Sequence, residues 1–450
     1  MTARAVTVKQ SNANSCLVIA CGSVRLHKRS MSTSQPTRYE TIDVVRGVAV
    51  MGILLMNIIA FSMPADAVLT PDTWLPEGFG NRTIWALSFI LIDNKMRGLF
   101  SLLYGASMLI LVTRTEAVGR NGMARHFKRS FWLLIFGLVH FFLIWDGDIL
   151  TLYAVTGCIA VLFHRMGAQR LIAVSLLCFV GQFLLWSAAF SSTIETDRRA
   201  HLPGASVAVL TKADENRQEW GATNSKESLE QIKTLRSGYT NILHDRVTNQ
   251  GTMPLNLLIL YFSETLGLML LGMALVKNGL LTGTWSPRRE LRLARTVLLF
   301  AVPGMGLLTL YCIMRGWDPV VTLLCSILWS IPFREAMVVG YAALIVMLAK
   351  ECAGSAAIQR IAAVGKTAFT NYLGTSLVMT TLFYGYGFGL FGHVTRAQAY
   401  LFCLPAFAFM LFWSKLWLER FNQGPLEWLW RSLTELRFMP LKRERDDRPI

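Results

Sequence analysis

Ten long apolar runs dominate this 450-residue sequence. About 20 apolar residues match the roughly 30 Å hydrocarbon core of a bilayer. The runs cover 44–63, 83–112, 131–146, 148–164, 170–190, 254–276, 296–314, 320–348, 367–390 and 398–418. A chain in hydrocarbon must satisfy its backbone polar groups within the segment, so each run is expected to be a helix. The predicted fold class is all-α: a polytopic transmembrane helical bundle of about ten spans, with a helical insertion on its outer side. Charged residues are 16% of the chain, against about 25% in soluble domains. The third and fourth runs are short and meet at Trp145-Asp146-Gly147-Asp148, which predicts a tight hairpin. The second and eighth are overlong for one straight crossing, so each is expected to be broken, steeply tilted or partly interfacial.

The formal charge of +16 raises the question of nucleic acid, and its placement answers it. Residues 191–253 carry eight Lys/Arg and eight Asp/Glu, so the excess lies in the short connections and tails. One set of connections holds Arg114, Arg120, Arg125, Lys128 and Arg129, then His164-Arg165 and Arg170. It continues with Lys277, Arg288, Arg289, Arg292 and Arg295, then Lys350, Arg360 and Lys366. The alternate set, 63–82, 145–148, 315–319 and 391–397, has only Arg82, Arg315 and Arg396. Basic loops stay in the cytoplasm, so ten crossings put both termini inside and 191–253 outside. The partners expected are membrane lipids and a small-molecule or lipid-linked substrate, with no nucleic acid. A homo-oligomer is compatible with this pattern.

This reading divides the chain into an extension at 1–37, a five-helix half at 38–190, an outer helical loop at 191–253, a second five-helix half at 254–437, and a charged tail at 438–450. The extension is expected to be disordered. Its one apolar patch, Cys16–Cys21, is too short for a signal segment of roughly 7–15 apolar residues, and Met31 would serve as an alternative start. In the outer loop, Leu229, Ile232, Leu235, Tyr239, Ile242, Leu243 and Val247 recur at three- and four-residue spacing, predicting an amphipathic helix on the membrane or a partner helix. After Gly424-Pro425, Trp428, Trp430 and Phe438 beside Arg431 and Arg437 predict an interfacial helix at the inner headgroups.

Polar residues inside apolar runs are costly and mark sites or pathways. Arg46 and Asn57 are eleven residues apart, about three turns, so they share a helix face; Asp43 lies one turn from Arg46. Asp93, Lys95 and Arg97 interrupt the second run. Counted from the run ends, Lys95, His140 and Glu264 lie at depths of roughly 18, 14 and 15 Å, which predicts one polar cavity holding Lys95, Arg97, Glu264 and His140. Histidine with a nearby carboxylate is the minimum for general-base work near neutrality, and Asp146 and Asp148 follow His140 closely. The alternative for each is ordinary: an ion pair that positions a helix end, interfacial charges, a packed histidine. No Walker loop, dinucleotide fingerprint, HExxH or GxSxG context occurs. The eight cysteines show no metal-ligand spacing, and no metal is expected.

TIDVVRGVAVMGILLMNI, NKMRGLFSLLYGAS, GLVHFFLIWDGDILTLYAVTG, GKTAFTNYLGTSL, YGYGFGLFG and ERFNQGPLEWLWRSLT resemble the YeiB-like family of bacterial inner-membrane proteins, over nearly everything from Arg38 to Arg437. The C-terminal part resembles that family's terminal domain of unknown function. The N-terminal half is similar to membrane acyltransferases of the heparan-α-glucosaminide N-acetyltransferase kind, in which a histidine is implicated. The resemblance implies transfer of an acyl group from a cytoplasmic donor, with no bound cofactor and acyl-CoA as the donor class, to an envelope glycan or lipid. It implies roles for Arg46, Lys95, Arg97, His140 and Asp148; with the other polar residues of the apolar runs, the candidates are His140, Asp146 and Asp148 as catalytic and Arg46, Asn57, Lys95, Arg97, Glu264 and Asn371 as substrate-binding. Tyr104-Gly105-Ala106-Ser107 departs from the Phe-Gly-rich run more usual there. Two other readings remain beside an acyltransferase: a transporter or flippase of an anionic or lipid-linked solute, using the same charges, and a non-catalytic scaffold. No internal repeat between the halves favours the transporter.

Overall fold

The computed structural model describes residues 40–71, 74, 79–221 and 225–442. The expected disordered extension lies outside these residues. From the basic end the chain runs through α1 (Glu40–Ser62), a short α2 (Ala65–Leu69), α3 (Phe79–Leu91) and α4 (Lys95–Ala117). It continues through α5 (Gly122–Val139), whose last turn widens at His140–Ile144, then α6 (Leu150–Ala160) and α7 (Ala168–Ala189). Four helices make the insertion: α8 (Ser191–Ala200), α9 (Val207–Gly221), α10 (Lys226–Leu235) and α11 (Tyr239–Thr248). Then follow α12 (Met253–Lys277), α13 (Pro287–Met314), α14 (Pro319–Leu324), α15 (Ile331–Glu351) and α16 (Ala356–Lys366). The chain closes with α17 (Ala368–Phe383), α18 (Arg396–Leu401), α19 (Cys403–Arg420) and α20 (Pro425–Glu435).

The protein is an all-α bundle of the membrane type. Among the described residues, eight helical stretches are long and apolar enough to cross a bilayer. The expected spans at 148–164 and 367–390 form shorter helices. The first starts late because Asp146-Gly147-Asp148 is non-helical, and α17 stops at Phe383 before a turn containing Gly385, Gly387, Gly389 and Gly392.

Both overlong runs are broken, and each break is repaired by a cation. Asn94 adopts φ 61° between α3 and α4, and Asp93 N–H reaches back to the Ser88 carbonyl at 2.9 Å. The Phe89 carbonyl, freed from that hydrogen bond, accepts from the Lys95 ammonium, and the Leu91 carbonyl accepts from Tyr341 Oη at 2.9 Å. In the eighth run a wide turn at Cys325–Trp329 precedes Pro332, which has no N–H to donate. Arg334 Nη1 donates to the carbonyls of Ser326 and Ile327 at 3.2 Å each. Unsatisfied carbonyls cost several kcal/mol each in hydrocarbon, so these cations have a structural task before any other.

Glycines set the closest helix contacts. A Cβ on Gly272 of α12 would meet the Leu102 carbonyl oxygen of α4, and one on Gly105 would meet that of Met269. This is small-residue packing, where backbones approach because no side chain intervenes. Gly272→Leu is expected to cost more than the ~1–3 kcal/mol of ordinary overpacking, because its obstacle is backbone. Loss of the monodisperse peak in detergent chromatography would register it, and a normal peak would disprove the contact.

The basic connections gather at one end of the bundle. There Lys277 Nζ donates to the carbonyls of His164 and Met166 at 2.7 Å each, and Lys350 Nζ meets Glu290 at 2.9 Å. The insertion sits at the opposite end, where Arg217 Nε meets Asp318 at 2.7 Å and Ala65 N–H donates to Gln231 at 2.9 Å. The single amphipathic helix expected over 229–247 is instead two helices, α10 and α11, divided before Gly238. Part of their apolar face packs inward: Ile232, Leu235 and Ile242 are buried in the protein's own core, while Leu229, Tyr239 and Val247 are exposed. The glycine-rich turn lets this approach happen, since Gly385 N–H donates to the Leu235 carbonyl at 2.8 Å and a Cβ on Gly385 would strike Arg236. Similarly, α20 docks on the bundle: Trp430 is buried, donating to the Arg129 carbonyl at 2.9 Å and packing on Phe369.

Candidate functional site

His140 begins the widened last turn of α5, and that geometry brings it to Asp148. Its Nδ1 lies 2.9 Å from Asp148 Oδ1. Asp148 Oδ2 accepts from the Thr151 N–H at 2.8 Å, at the start of α6. Both side chains are almost wholly buried, at 0% and 2% exposure. Gly137, one turn earlier, permits this hairpin: a Cβ there would strike Thr151 and the Asp148 carboxylate. With the carboxylate accepting, the imidazole proton resides on Nδ1. Nε2 then bears the lone pair, and it has no hydrogen-bond partner among the described residues. Asp146, the other carboxylate expected beside the histidine, is not the one that pairs with it. The Tyr372 ring stands 5.3 Å from the imidazole. Tyr372, Asn57 and Ser376 line a small adjoining void. Over this end lies the insertion, with Tyr239 Oη donating to the Leu143 carbonyl at 2.9 Å.

The single polar cavity expected from depth is not what forms. Arg97 and Glu264 come together, but Lys95 bonds to the Phe89 carbonyl and His140 pairs with Asp148. The depth count started at residue 131, whereas α5 begins at Gly122, so His140 lies in the last turn of its helix rather than midway. Glu264 bridges two arginines, with Arg97 Nη2 at 2.6 Å and Arg334 Nη2 at 2.5 Å. Arg334 Nε also reaches Glu335 at 3.2 Å, and the Arg97 guanidinium sits over the Tyr261 ring at 4.9 Å. Sequence reasoning passed over Arg334 and Glu335. The signal was present: a charged dipeptide after a proline inside an overlong apolar run. Arg97, Glu264, Arg334 and Glu335 each have an opposite charge beside them, and Lys95 and Arg334 cap the helix breaks, so the arrangement reads as a buried brace between broken helices.

The remaining candidates separate. Arg46 sits at the basic end, bound to Asp43 at 2.8 Å and to Ser107 Oγ at 2.8 Å. Asn57 lies three turns away beside Tyr372. The Asn371 carboxamide is engaged in packing, donating to Thr367 Oγ1 at 3.0 Å and Ser414 Oγ at 3.2 Å and accepting from Trp413 at 2.9 Å. It borders an apolar cavity of about 620 Å³ between α17 and α19. At the basic end, a cavity of about 430 Å³ lies between α4, α5 and α20. Glu427 at its rim accepts from the N–H groups of Phe369 and Thr370 at 2.7 and 3.2 Å and from Thr370 Oγ1 at 2.6 Å. Burial pushes the Glu427 carboxyl above its ordinary range, against the pull of those hydrogen bonds. No group of three or more His, Cys, Asp or Glu side chains among the described residues is arranged to hold a metal ion.

Comparison with known proteins assigns the family. The chain is 33% identical over 437 residues to the uncharacterised protein YxaH of Bacillus subtilis, covering 92% of this chain and 99% of that one. It is 31% identical over 408 residues to the uncharacterised protein YeiB of Escherichia coli, covering 88% and 96%. The chain belongs to the YeiB-like family. A protein of Bacillus acidopullulyticus, an uncharacterised 39.9 kDa product of the amylase 3′ region, is 25% identical over 413 residues, covering 91% and 98%. The family model for a protein of unknown function, DUF418, matches residues 275–437. No solved structure matches. The DUF418 segment of this YeiB-like protein supplies Arg334, Glu335, Lys366 and α20, whereas His140, Asp148, Arg97 and Glu264 precede it.

Proposed function

We propose that this YeiB-like protein is a bacterial inner-membrane acyltransferase. In this reading it moves an acyl group from a cytoplasmic donor, with acyl-CoA the first candidate, to an envelope glycan or lipid. One observation carries the reading: a buried His140–Asp148 pair whose Nε2 has no hydrogen-bond partner among the described residues. The acceptor hydroxyl or amine gives its proton to Nε2 as its oxygen or nitrogen attacks the donor's acyl carbon. The bond to the donor's leaving group breaks, and the imidazolium returns the proton to that group. Asp148 holds the ring's orientation and stabilises its positive charge. Lipid and envelope-glycan mass spectrometry of a deletion strain tests the proposal. It predicts an acyl mass that disappears and returns with the wild-type gene; an unchanged envelope profile refutes it.

The transporter reading draws on one specific feature, two broken helices whose charges face each other mid-bundle, as in carriers that bind solute at interrupted helices. The mutual pairing of Arg97 and Arg334 with Glu264, and of Arg334 with Glu335, makes it the second choice, while Arg97 Nη1 and Glu335 Oε2 keep no partner among the described residues. Both readings place the insertion in the periplasm and both termini in the cytoplasm, by the positive-inside rule. A single cysteine at exposed Lys212, in a cysteine-free background, is therefore expected to react with impermeant maleimide in intact cells. One at exposed Gln359 is expected to react only after lysis. The reverse pattern would invert the orientation.

A further inference from the structure

We infer that the cavity at the basic end is a binding site for a phosphate-bearing anion, a conclusion independent of whether His140 is catalytic. Five cationic side chains line it: Arg114, Arg125, Arg129, Lys366 and Arg431, against the carboxylates Glu427 and Glu435. Those carboxylates are already occupied. Glu435 is bound by Arg125 at 2.5 Å, and Glu427 caps the start of α17. Arg129, Lys366 and Arg431 have no ion pair or side-chain hydrogen bond to a described residue; Arg129 rests its guanidinium 3.8 Å over the Trp430 ring. Converging cations with their own anions spent elsewhere leave net positive charge in a concave site, and guanidinium forks suit phosphate oxygens.

A second, independent observation gives the site depth. A narrow extension shares Ser107, Leu111 and Arg129 with the cavity and ends on Tyr104 and His126. Tyr104 stood out in the sequence only as a departure from the more usual Phe-Gly-rich run, and His126 not at all. His126 is 2% exposed, and its Nε2 is engaged with the Gly157 carbonyl at 3.1 Å. Its Nδ1 and the Tyr104 hydroxyl are buried with no hydrogen-bond partner among the described residues. Buried polar atoms are ordinarily satisfied. The ligand therefore places phosphate among Arg129, Lys366 and Arg431 and extends a polar group inward to Tyr104 and His126. The phosphate source is either a soluble molecule or a lipid headgroup, since α20 is built at the bundle's basic rim.

The test uses full-length protein purified in detergent and in nanodiscs. Inorganic diphosphate and coenzyme A probe the soluble source; native mass spectrometry from nanodiscs of phosphatidic acid or phosphatidylcholine probes the lipid source. Lys366→Gln and Arg431→Gln remove exposed cations without ion partners, so their fold should persist, with Arg129→Gln as the stronger variant. Each is expected to weaken binding roughly tenfold to a hundredfold. Arg295→Gln, in a separate basic patch of the same end, should leave it unchanged. His126→Ala should weaken coenzyme A or a retained phospholipid while sparing diphosphate. Loss in the cavity variants with diphosphate or coenzyme A assigns a soluble ligand; loss of retained phosphatidic acid assigns a lipid. No binding by the wild type, or equal binding by Arg295→Gln and the cavity variants, overturns the site.

Discussion

Replacing His140 by alanine is expected to leave a folded, inserted protein that no longer modifies its acceptor. A positioned general base contributes about 10²–10⁴-fold, so the acyl mass should fall below detection in a complementation assay. Asp148→Asn is expected to approach the same loss, because it removes the carboxylate that keeps the proton on Nδ1 and stabilises the imidazolium. His164→Ala is the control. That side chain lies at the basic end, bonded through Nδ1 to the Val161 carbonyl at 2.7 Å, and its removal should change the acyl signal little. Near-normal modification by His140→Ala would sink the histidine mechanism and favour the transporter reading. Loss of the folded peak in chromatography would instead assign His140 to packing between the α5–α6 hairpin and α17.

The largest stability effect is expected at Glu264. Glu264→Gln leaves Arg97 and Arg334 buried with one carboxylate, Glu335, between them. Removing one partner of a buried ion pair typically costs about 3–5 kcal/mol, because the surviving charge has lost its compensation. Thermal unfolding in detergent should show a large drop, and the same change should loosen the Arg334 caps on Ser326 and Ile327. Arg97→Met combined with Glu264→Leu should recover part of that loss, since well-packed apolar replacements of ion pairs are often neutral. A Glu264→Gln protein with unaltered thermal stability but no transport or acyl transfer would make the cluster functional rather than a brace.

What the sequence by itself determined follows from constraints that act locally. Apolar runs of spanning length can satisfy their backbone only as helices, so the all-α bundle was legible. The overlong second and eighth runs foretold breaks, which Asn94 and Pro332 deliver. The WDGD hinge foretold the hairpin, and the proximity of His140 to Asp148 follows from it. Facing was not legible, because spacing gives the depth of a side chain along its helix and not the neighbour it meets. Even depth depends on where the helix begins: α5 starts nine residues before its apolar run, at Gly122 rather than residue 131, and that shift moved His140 out of the cluster containing Arg97 and Glu264. Tertiary structure alone decided which carboxylate holds the histidine, that Arg334 completes the bridge from Glu264, and that Asn371 is committed to packing. It also buried Ile232, Leu235 and Ile242 of α10 and α11 in the bundle's core. The same holds for the basic cavity, whose walls come from α4 and α5 and from the tail helix α20, which begins 286 residues after α5 ends; only packing makes their charges neighbours.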